Sequence, residues 1–334
     1  MYSGISDMAS HTESLYKSCT QCPRNCGIDR FSQYVGFCRE PADLRIAFAG
    51  LHFGEEPLIT VKGGSGTIFF TGCTLRCKFC QNYQISQDGL GRPVNKDEFV
   101  SICHKLQDAG AENINLVTGS HHIPVIAEYL EAARNSGITV PFCWNSSAFE
   151  KVEMLELLKG LVTIWLPDFK TLDKKLSKQL FDAEDYPEVC SQAIKWMIKN
   201  NPLNIEESDD ENIPDKMLQG VIIRHLFLPG KFAETADALQ WLKENADGRA
   251  CISLMNQYTP IPAKEGMIKE FEDRLVTKQE DEDIQDLIEA YDFDYLFYQE
   301  LSDDTSWLPD FNRIQPFSNK LAKPLWHCSY PTII

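Results

Sequence analysis

Three features of the sequence predict an α/β protein with a small cysteine-rich module at its amino terminus. Strand and helix signals alternate from Arg45 to near residue 300, cysteines crowd the loop after an early strand, and the first 44 residues have almost no apolar periodicity. About six βα units leave two architectures open, a doubly wound parallel sheet or a complete or partial TIM-like barrel. The chain has 334 residues, 43% hydrophobic and 24% charged, enough to bury a large core, which excludes wholesale disorder.

Residues 1–44 are polar and rich in cysteine, a module that hydrophobic burial alone would not fold. RIAFAG and GGSGTIFFTG are strand candidates, and the second delivers the chain into a cysteine loop at its carboxyl end. Phe99, Ile102, Cys103 and Leu106 keep helical spacing, NINLVT is a strand, IPVIAEYLEAARNSG a helix stopped by glycine, and TVPFCW a strand. The helix FEKVEMLELLKG, the strand LVTIWLPDFK and helical material through Lys199 follow. After them come the strand GVIIRHLFLPG, the helix ETADALQWLKENA and the strand CISLMNQYTP. The acidic stretch 204–215 reads as a solvated insertion. The expected division is a module at 1–44, a barrel at 45–300 and a tail at 301–334 packed on the barrel through Trp307, Phe311, Phe317 and Trp326.

Acidic residues outnumber basic ones 49 to 32, a formal charge of -17 that argues against a broad nucleic-acid footprint and against attraction to anionic lipid. No apolar run reaches the ~18 residues of a membrane span, and MYSGISDMASHTESLYK lacks the apolar core of a secretion signal, so a cytoplasmic protein is expected. Seven of the 12 cysteines fall in two tight sets, Cys19, Cys22, Cys26 and Cys38, then Cys73, Cys77 and Cys80. Thiols crowded this closely in a long chain that needs no disulfide staples point to metal.

In GCTLRCKFCQN the second set is spaced C-x3-C-x2-C. Three thiolates on one loop hold three corners of a four-iron cluster and leave one iron open to a small molecule, whereas a closed zinc site would want a fourth ligand nearby. This spacing, with Phe79 before the last cysteine, resembles the radical S-adenosylmethionine (SAM) superfamily. With CTQCPRNCGID, GFC, VTGSHH, LPDFK and RHLFLPG, the chain is most similar to the pyruvate formate-lyase activating enzyme-related proteins of that superfamily. The resemblance implies a partial (β/α)6 barrel with a [4Fe-4S] cluster on Cys73, Cys77 and Cys80 at its carboxyl-side mouth. There SAM would chelate the open iron and be cleaved reductively to a 5'-deoxyadenosyl radical.

The resemblance also points to cofactor-contacting positions besides Phe79. Thr118, Gly119 and Ser120 match the family's glycine-rich stretch at the SAM amino group, with serine where an acidic residue is usual; the alternative is a plain turn with Ser120 capping the next helix. Asp168 and Lys170 resemble a DxK pair at the SAM and substrate pocket, and a surface ion pair is the alternative. Asn145 and Ser146 offer polar groups at the same mouth. Arg224, in an otherwise apolar strand, needs an anionic partner, either a ligand carboxylate or a core aspartate. Asp168, Lys170 and Arg224 are the candidate catalytic residues. His225 falls on the opposite face from Arg224, and Asn256 and Gln257 end the following strand at a height where they could line the pocket.

Cys19, Cys22, Cys26 and Cys38, spaced C-x2-C-x3-C-x11-C, satisfy either one zinc ion or a second four-iron cluster, and spacing does not choose. The expected activity is reductive SAM cleavage followed by hydrogen abstraction from a substrate, with a glycyl radical enzyme among the candidates. Expected partners are SAM, a one-electron donor such as flavodoxin or ferredoxin, and a substrate for which protein, peptide and small molecule all stay open. The rival reading is an iron-sulfur electron-transfer or scaffold protein that does not cleave SAM.

Overall fold

The computed structural model describes residues 12–302, 305 and 307–330. Residues 1–11 of the expected amino-terminal module lie outside the described residues. Residues 12–17 are helical; after them the elements in chain order are β1 (Arg45–His52), α1 (Pro57–Thr60), β2 (Ser65–Phe70), α2 (Tyr83–Ser86), β3 (Arg92–Pro93), α3 (Lys96–Asp108) and β4 (Asn113–Val117). They continue with α4 (Ile123–Asn135), β5 (Phe142–Ser146), α5 (Val152–Leu155), β6 (Val162–Pro167), α6 (Lys174–Phe181) and α7 (Tyr186–Asn200). The last are β7 (Asn204–Glu206), β8 (Lys216–Leu226), α8 (Phe232–Asn245), β9 (Cys251–Met255), α9 (Lys278–Tyr291), β10 (Leu296–Gln299) and β11 (Ala322–His327).

The strands form one open sheet in the order β10-β9-β8-β6-β5-β4-β2-β1-β11. From β2 through β10 every neighbouring pair on this path is parallel, which is the expected α/β architecture with a parallel sheet that does not close. β1 and β11 extend the β2 edge antiparallel, so the carboxyl-terminal segment contributes a strand as well as a packed tail. Within the acidic stretch expected to be a solvated insertion, Asn204–Glu206 instead pair antiparallel with the start of β8. The predicted helix FEKVEMLELLKG shortens to α5 and a 3-10 turn at Glu156–Leu158.

Strand alternation sends neighbouring residues to different cores. Ile114, Leu116, Phe142, Trp144, Trp165, Ile223 and Leu254 pack on the helices in the main cluster. Cys143, Ile164, Leu166, Ile222 and Cys251 face the other way and meet Leu58 and Ile59 of α1. α1 therefore plugs the concave side of the sheet, and the acidic pair just before it, Glu55 and Glu56, is carried into the barrel lumen.

Candidate active site

β2 feeds the cysteine loop through Gly72, whose φ of +82° suits glycine; a Cβ there would lie 2.3 Å from Glu40 Cγ and 2.9 Å from the Cys38 carbonyl. The loop is fastened to its surroundings along its length. The Cys73 sulfur accepts from the amides of Leu75 (3.3 Å) and Arg76 (3.5 Å). Lys78 N–H donates to Leu180 O at 3.1 Å, Gln87 Nε2 donates to Cys77 O at 2.8 Å, and Lys264 Nζ donates to Lys78 O at 3.1 Å. Phe79 is packed edge-on by Phe181, Tyr258 and Phe271, with centroids 6.1, 6.4 and 5.8 Å away. It braces the loop from the protein side.

Cys73 and Cys77 are buried, Cys80 is partly buried, and no three thiols in the described chain come within 4.8 Å of one another. Burial pushes the Cys73 and Cys77 thiols well up, partly offset at Cys73 by its amide donors and at Cys77 by the Lys170 charge. Two buried sulfurs and a partly buried one, spread too far for one small ion and with amide and cationic support, fit three corners of a polynuclear iron-sulfur cluster, whose iron would stabilise the thiolates that burial disfavours.

The strand ends converge on one charge network. Asp168 accepts from Lys170 Nζ at 2.8 Å and from Arg224 Nε at 2.9 Å. Arg224 also donates to Asn145 Oδ1 at 2.6 Å and to Glu55 Oε2 at 3.3 Å. Its anionic partners are thus an aspartate and a glutamate of the chain itself. The backbone holds this register: Phe169 N–H donates to Arg224 O at 2.7 Å, Asp168 N–H to Ser146 O at 2.8 Å, and Tyr186 Oη to Asp168 O at 2.8 Å. Burial pushes Asp168 up, but the Arg224 and Lys170 cations outweigh it and hold the carboxylate below its ordinary value. Burial likewise pulls Lys170 down, and Asp168 and Cys77 more than restore it. Lys170 therefore carries a fixed positive charge between the network and the thiols.

Thr118, Gly119 and Ser120 form the turn after β4. Thr118 has φ +63° and donates its N–H to Asn145 O at 2.9 Å. A Cβ on Gly119 would lie 2.7 Å from Ile126 Cδ1 and 2.8 Å from the Trp144 ring, so only glycine fits this approach. Ser120 does not cap α4, whose cap residue is His122. Its hydroxyl donates to Glu150 Oε1 at 2.5 Å, an oxygen that Trp144 Nε1 also approaches at 3.3 Å. Glu150, from another loop, thus places a carboxylate beside the third position of the turn, its second oxygen buried and without a hydrogen-bond partner among the described residues.

Sequence reasoning missed four groups here. Glu55 and Glu56 reach the lumen only because α1 folds into the sheet's concave side. Burial pushes Glu56 up to about 7 despite the Arg224 charge and a hydrogen bond with Ser253. Glu150 is the third. Asn115 is the fourth, fully buried with neither amide atom partnered, in register with Thr67 and Cys143 on the lumen side. Two asparagines at alternate positions of the apolar strand NINLVT were the available signal. Asn256 and Gln257 do not line the pocket, because Asn256 is tied to Asp281 and to Tyr298 Oη (2.6 Å), and Gln257 to Glu300 O (2.9 Å). His225 lies on the outer face, bonded to Phe169 O and Thr235 Oγ1.

The first cysteine set lies against the rim of the barrel. Cys19 and Cys22 are buried, Cys38 is partly buried and Cys26 is exposed. Beside it Glu40, His121 and His122 place ligand atoms within 4.8 Å of one another. The Arg30 guanidinium, however, donates to His122 Nε2 at 3.0 Å. That nitrogen's lone pair is committed to a cation, which leaves two ligands and a repelling charge, so the trio is not a metal site.

An α/β partial barrel with a three-thiol loop at its mouth defines the class, and comparison with known proteins agrees. The chain belongs to the radical SAM superfamily, whose family model matches residues 67–242. It is 30% identical over 295 residues to an uncharacterized protein, MJ0674, of Methanocaldococcus jannaschii, covering 85% of this chain and 78% of that protein. Among solved structures it is similar to Streptococcus suis SuiB (14% identity, TM-score 0.47), covering 69% of this chain and 47% of SuiB. It is also similar to methylornithine synthase (12% identity, TM-score 0.46), covering 70% of each chain. The chain spans about half the length of SuiB. As a radical SAM protein it uses a [4Fe-4S] cluster and SAM. No helix among the described residues is long and apolar enough to cross a membrane.

Proposed function

We propose that this protein is a radical SAM enzyme that cleaves SAM reductively at a cluster held by Cys73, Cys77 and Cys80 and abstracts hydrogen from a substrate lodged in the barrel lumen. The observation that carries the reading is the meeting of a buried three-thiol loop with the Asp168, Lys170, Arg224 and Asn145 network. When bound, the cluster and SAM supply one electron and a 5'-deoxyadenosyl radical. The chain's own residues bind, orient and exclude water. Thr118, Gly119 and Ser120, with Glu150 behind them, offer polar contacts for the amino acid part of SAM. Asn145 and Ser146 offer contacts for its sugar. Asp168 and Lys170 keep an oriented charge pair facing both cofactor and substrate, and Arg224 positions Asp168 by a direct ion pair. The plug formed by α1 closes the lumen floor, which keeps water from the radical. The unpaired amide of Asn115 and the carboxyl of Glu56 are the groups left to meet a substrate there.

The resemblance to activating enzymes makes a polypeptide the preferred substrate, with a glycyl radical enzyme as the specific form, and a flavodoxin or ferredoxin the preferred electron donor. The test is anaerobic reconstitution, reduction with dithionite and incubation with SAM, followed by assay of 5'-deoxyadenosine and methionine. Production of both, lost in Cys77→Ala, is expected. A reducible cluster that leaves SAM intact would overturn the proposal in favour of an electron-transfer or scaffold protein.

A further inference from the structure

We propose that Cys19, Cys22, Cys26 and Cys38 hold a second iron-sulfur cluster of the four-iron class, not a zinc ion, packed directly behind the radical loop. The backbone brings the cysteines together: the N–H of Gly27, next to Cys26, donates to Cys19 O, and the Cys26 sulfur sits on the amide of Phe37, next to Cys38. Left-handed residues at Asn25 (φ +45°), Gly27 (+64°) and Arg39 (+61°) bend the chain around this centre. The bends are closed by Asn25 N–H to Cys22 O (3.1 Å) and Gly27 N–H to Cys19 O (2.9 Å).

The Cys26 sulfur accepts a hydrogen bond from the Phe37 amide at 3.4 Å. The radical loop treats Cys73 the same way, and amide donors of this kind favour metal-bound thiolate over thiol or disulfide. From residue 18 to 44 the segment contains no helix or strand. With so little regular structure, a bound metal is what would order it.

Spacing decides between metals. A tetrahedral zinc with Zn–S bonds of ~2.3 Å would bring its sulfurs to roughly 3.8 Å from one another. In the described chain no three of these sulfurs lie within even 4.8 Å. A polynuclear core spreads its ligands more widely, and four thiolates complete it with no open iron.

The site abuts the radical loop. The Cys38 carbonyl sits 2.9 Å from where a Cβ on Gly72 would lie, one residue before Cys73. Arg24, two residues after Cys22, donates to Thr74 O at 2.8 Å. Arg24 lies within electrostatic reach of both Cys22 and Cys73, and Arg76 of both Cys38 and Cys73. These two guanidinium groups are placed to balance two anionic clusters across a thin partition.

The test is metal and sulfide analysis with electron paramagnetic resonance on the anaerobically purified full chain. Two variants are compared with it, Cys73→Ala/Cys77→Ala/Cys80→Ala and Cys19→Ser/Cys26→Ser. Each variant should retain about half of the wild-type iron and sulfide, with zinc far below one per chain. The reduced wild type should show spectral broadening from two interacting spins that both variants lose. If the triple variant fails to fold, the double variant carries the test alone. Stoichiometric zinc, unchanged iron in the double variant, or an unbroadened reduced spectrum in a chain holding both clusters would each overturn the proposal. None of these readouts requires SAM cleavage.

Discussion

The two cysteine sets present the same ligand chemistry on opposite kinds of scaffold. The radical loop, residues 73–80, is set at the end of a core strand and pinned by Phe79 among Phe181, Tyr258 and Phe271. Residues 19–38 have no strand or helix beneath them and are moored by guanidinium groups: Arg24 to Thr74 and Phe181 carbonyls, Arg30 to the His121 and Pro41 carbonyls. The contrast teaches that a cysteine loop at the end of a core strand is pre-organised by apolar packing, whereas a segment without regular structure is held by a few directional bonds to backbone carbonyls.

The comparison is broken most completely by removing a single thiol from each side. Cys77→Ala should abolish 5'-deoxyadenosine formation, with a melting temperature measured by circular dichroism that stays near wild type, because Phe79 and Leu75 keep the loop seated. Cys22→Ala should instead expose residues 19–44 to limited proteolysis. Proteolytic resistance equal to wild type in Cys22→Ala would remove the distinction between the scaffolds.

Next in size is the charge pair facing the radical loop. Lys170→Met should lower SAM turnover roughly 100-fold, the range of a lost oriented charge in a low-dielectric site. Asp168→Asn should also cost stability, because it leaves Lys170 and Arg224 without their shared carboxylate, on the order of 3 kcal/mol for a broken buried pair and less for its partial exposure. Turnover assays beside denaturant titrations separate the two, and equal stability losses in both variants would contradict the shared role of Asp168.

Smaller effects sharpen the mooring argument. Arg24→Ala should loosen the amino-terminal segment by about 1–2 kcal/mol, since its guanidinium supplies charged hydrogen bonds to carbonyls of the barrel. Protection of amides 19–40 in hydrogen exchange should fall while that of β4 and β5 is unchanged.

A pH dependence in the lumen tests the other end of the barrel from the cysteines. Glu56, pushed by burial from the ordinary carboxyl value of 4.5 up to about 7, binds its proton more tightly when folded. Its contribution favours folding below the unfolded value and is lost as pH rises from about 4.5 through 7. Relative to wild type, Glu56→Gln should therefore gain about 2–3 kcal/mol in stability between pH 4.5 and 8, read from denaturant midpoints at each pH. A flat difference across that range would place the Glu56 carboxyl in water.

Much of the fold was legible because its signals are local. Alternating apolar runs marked most of the strands, and the partial barrel and radical chemistry were implied by the family resemblance that a C-x3-C-x2-C spacing held within eight residues carries. Asp168 and Arg224 each stood out as charges in apolar strands. Their pairing with one another and with Asn145 and Glu55 did not, because it joins four separate parts of the chain.

By itself the sequence determined the three-thiol loop, the parallel α/β class and the presence of a polar, cysteine-rich segment at the amino terminus, each a property of residue type and short spacing. Only the tertiary structure decided that α1 enters the lumen with Glu55 and Glu56, that Glu150 meets Ser120, and that Cys38 lies against Gly72. These contacts span 30 residues or more, and such distances close only when burial of the strands' apolar faces has already brought the elements together.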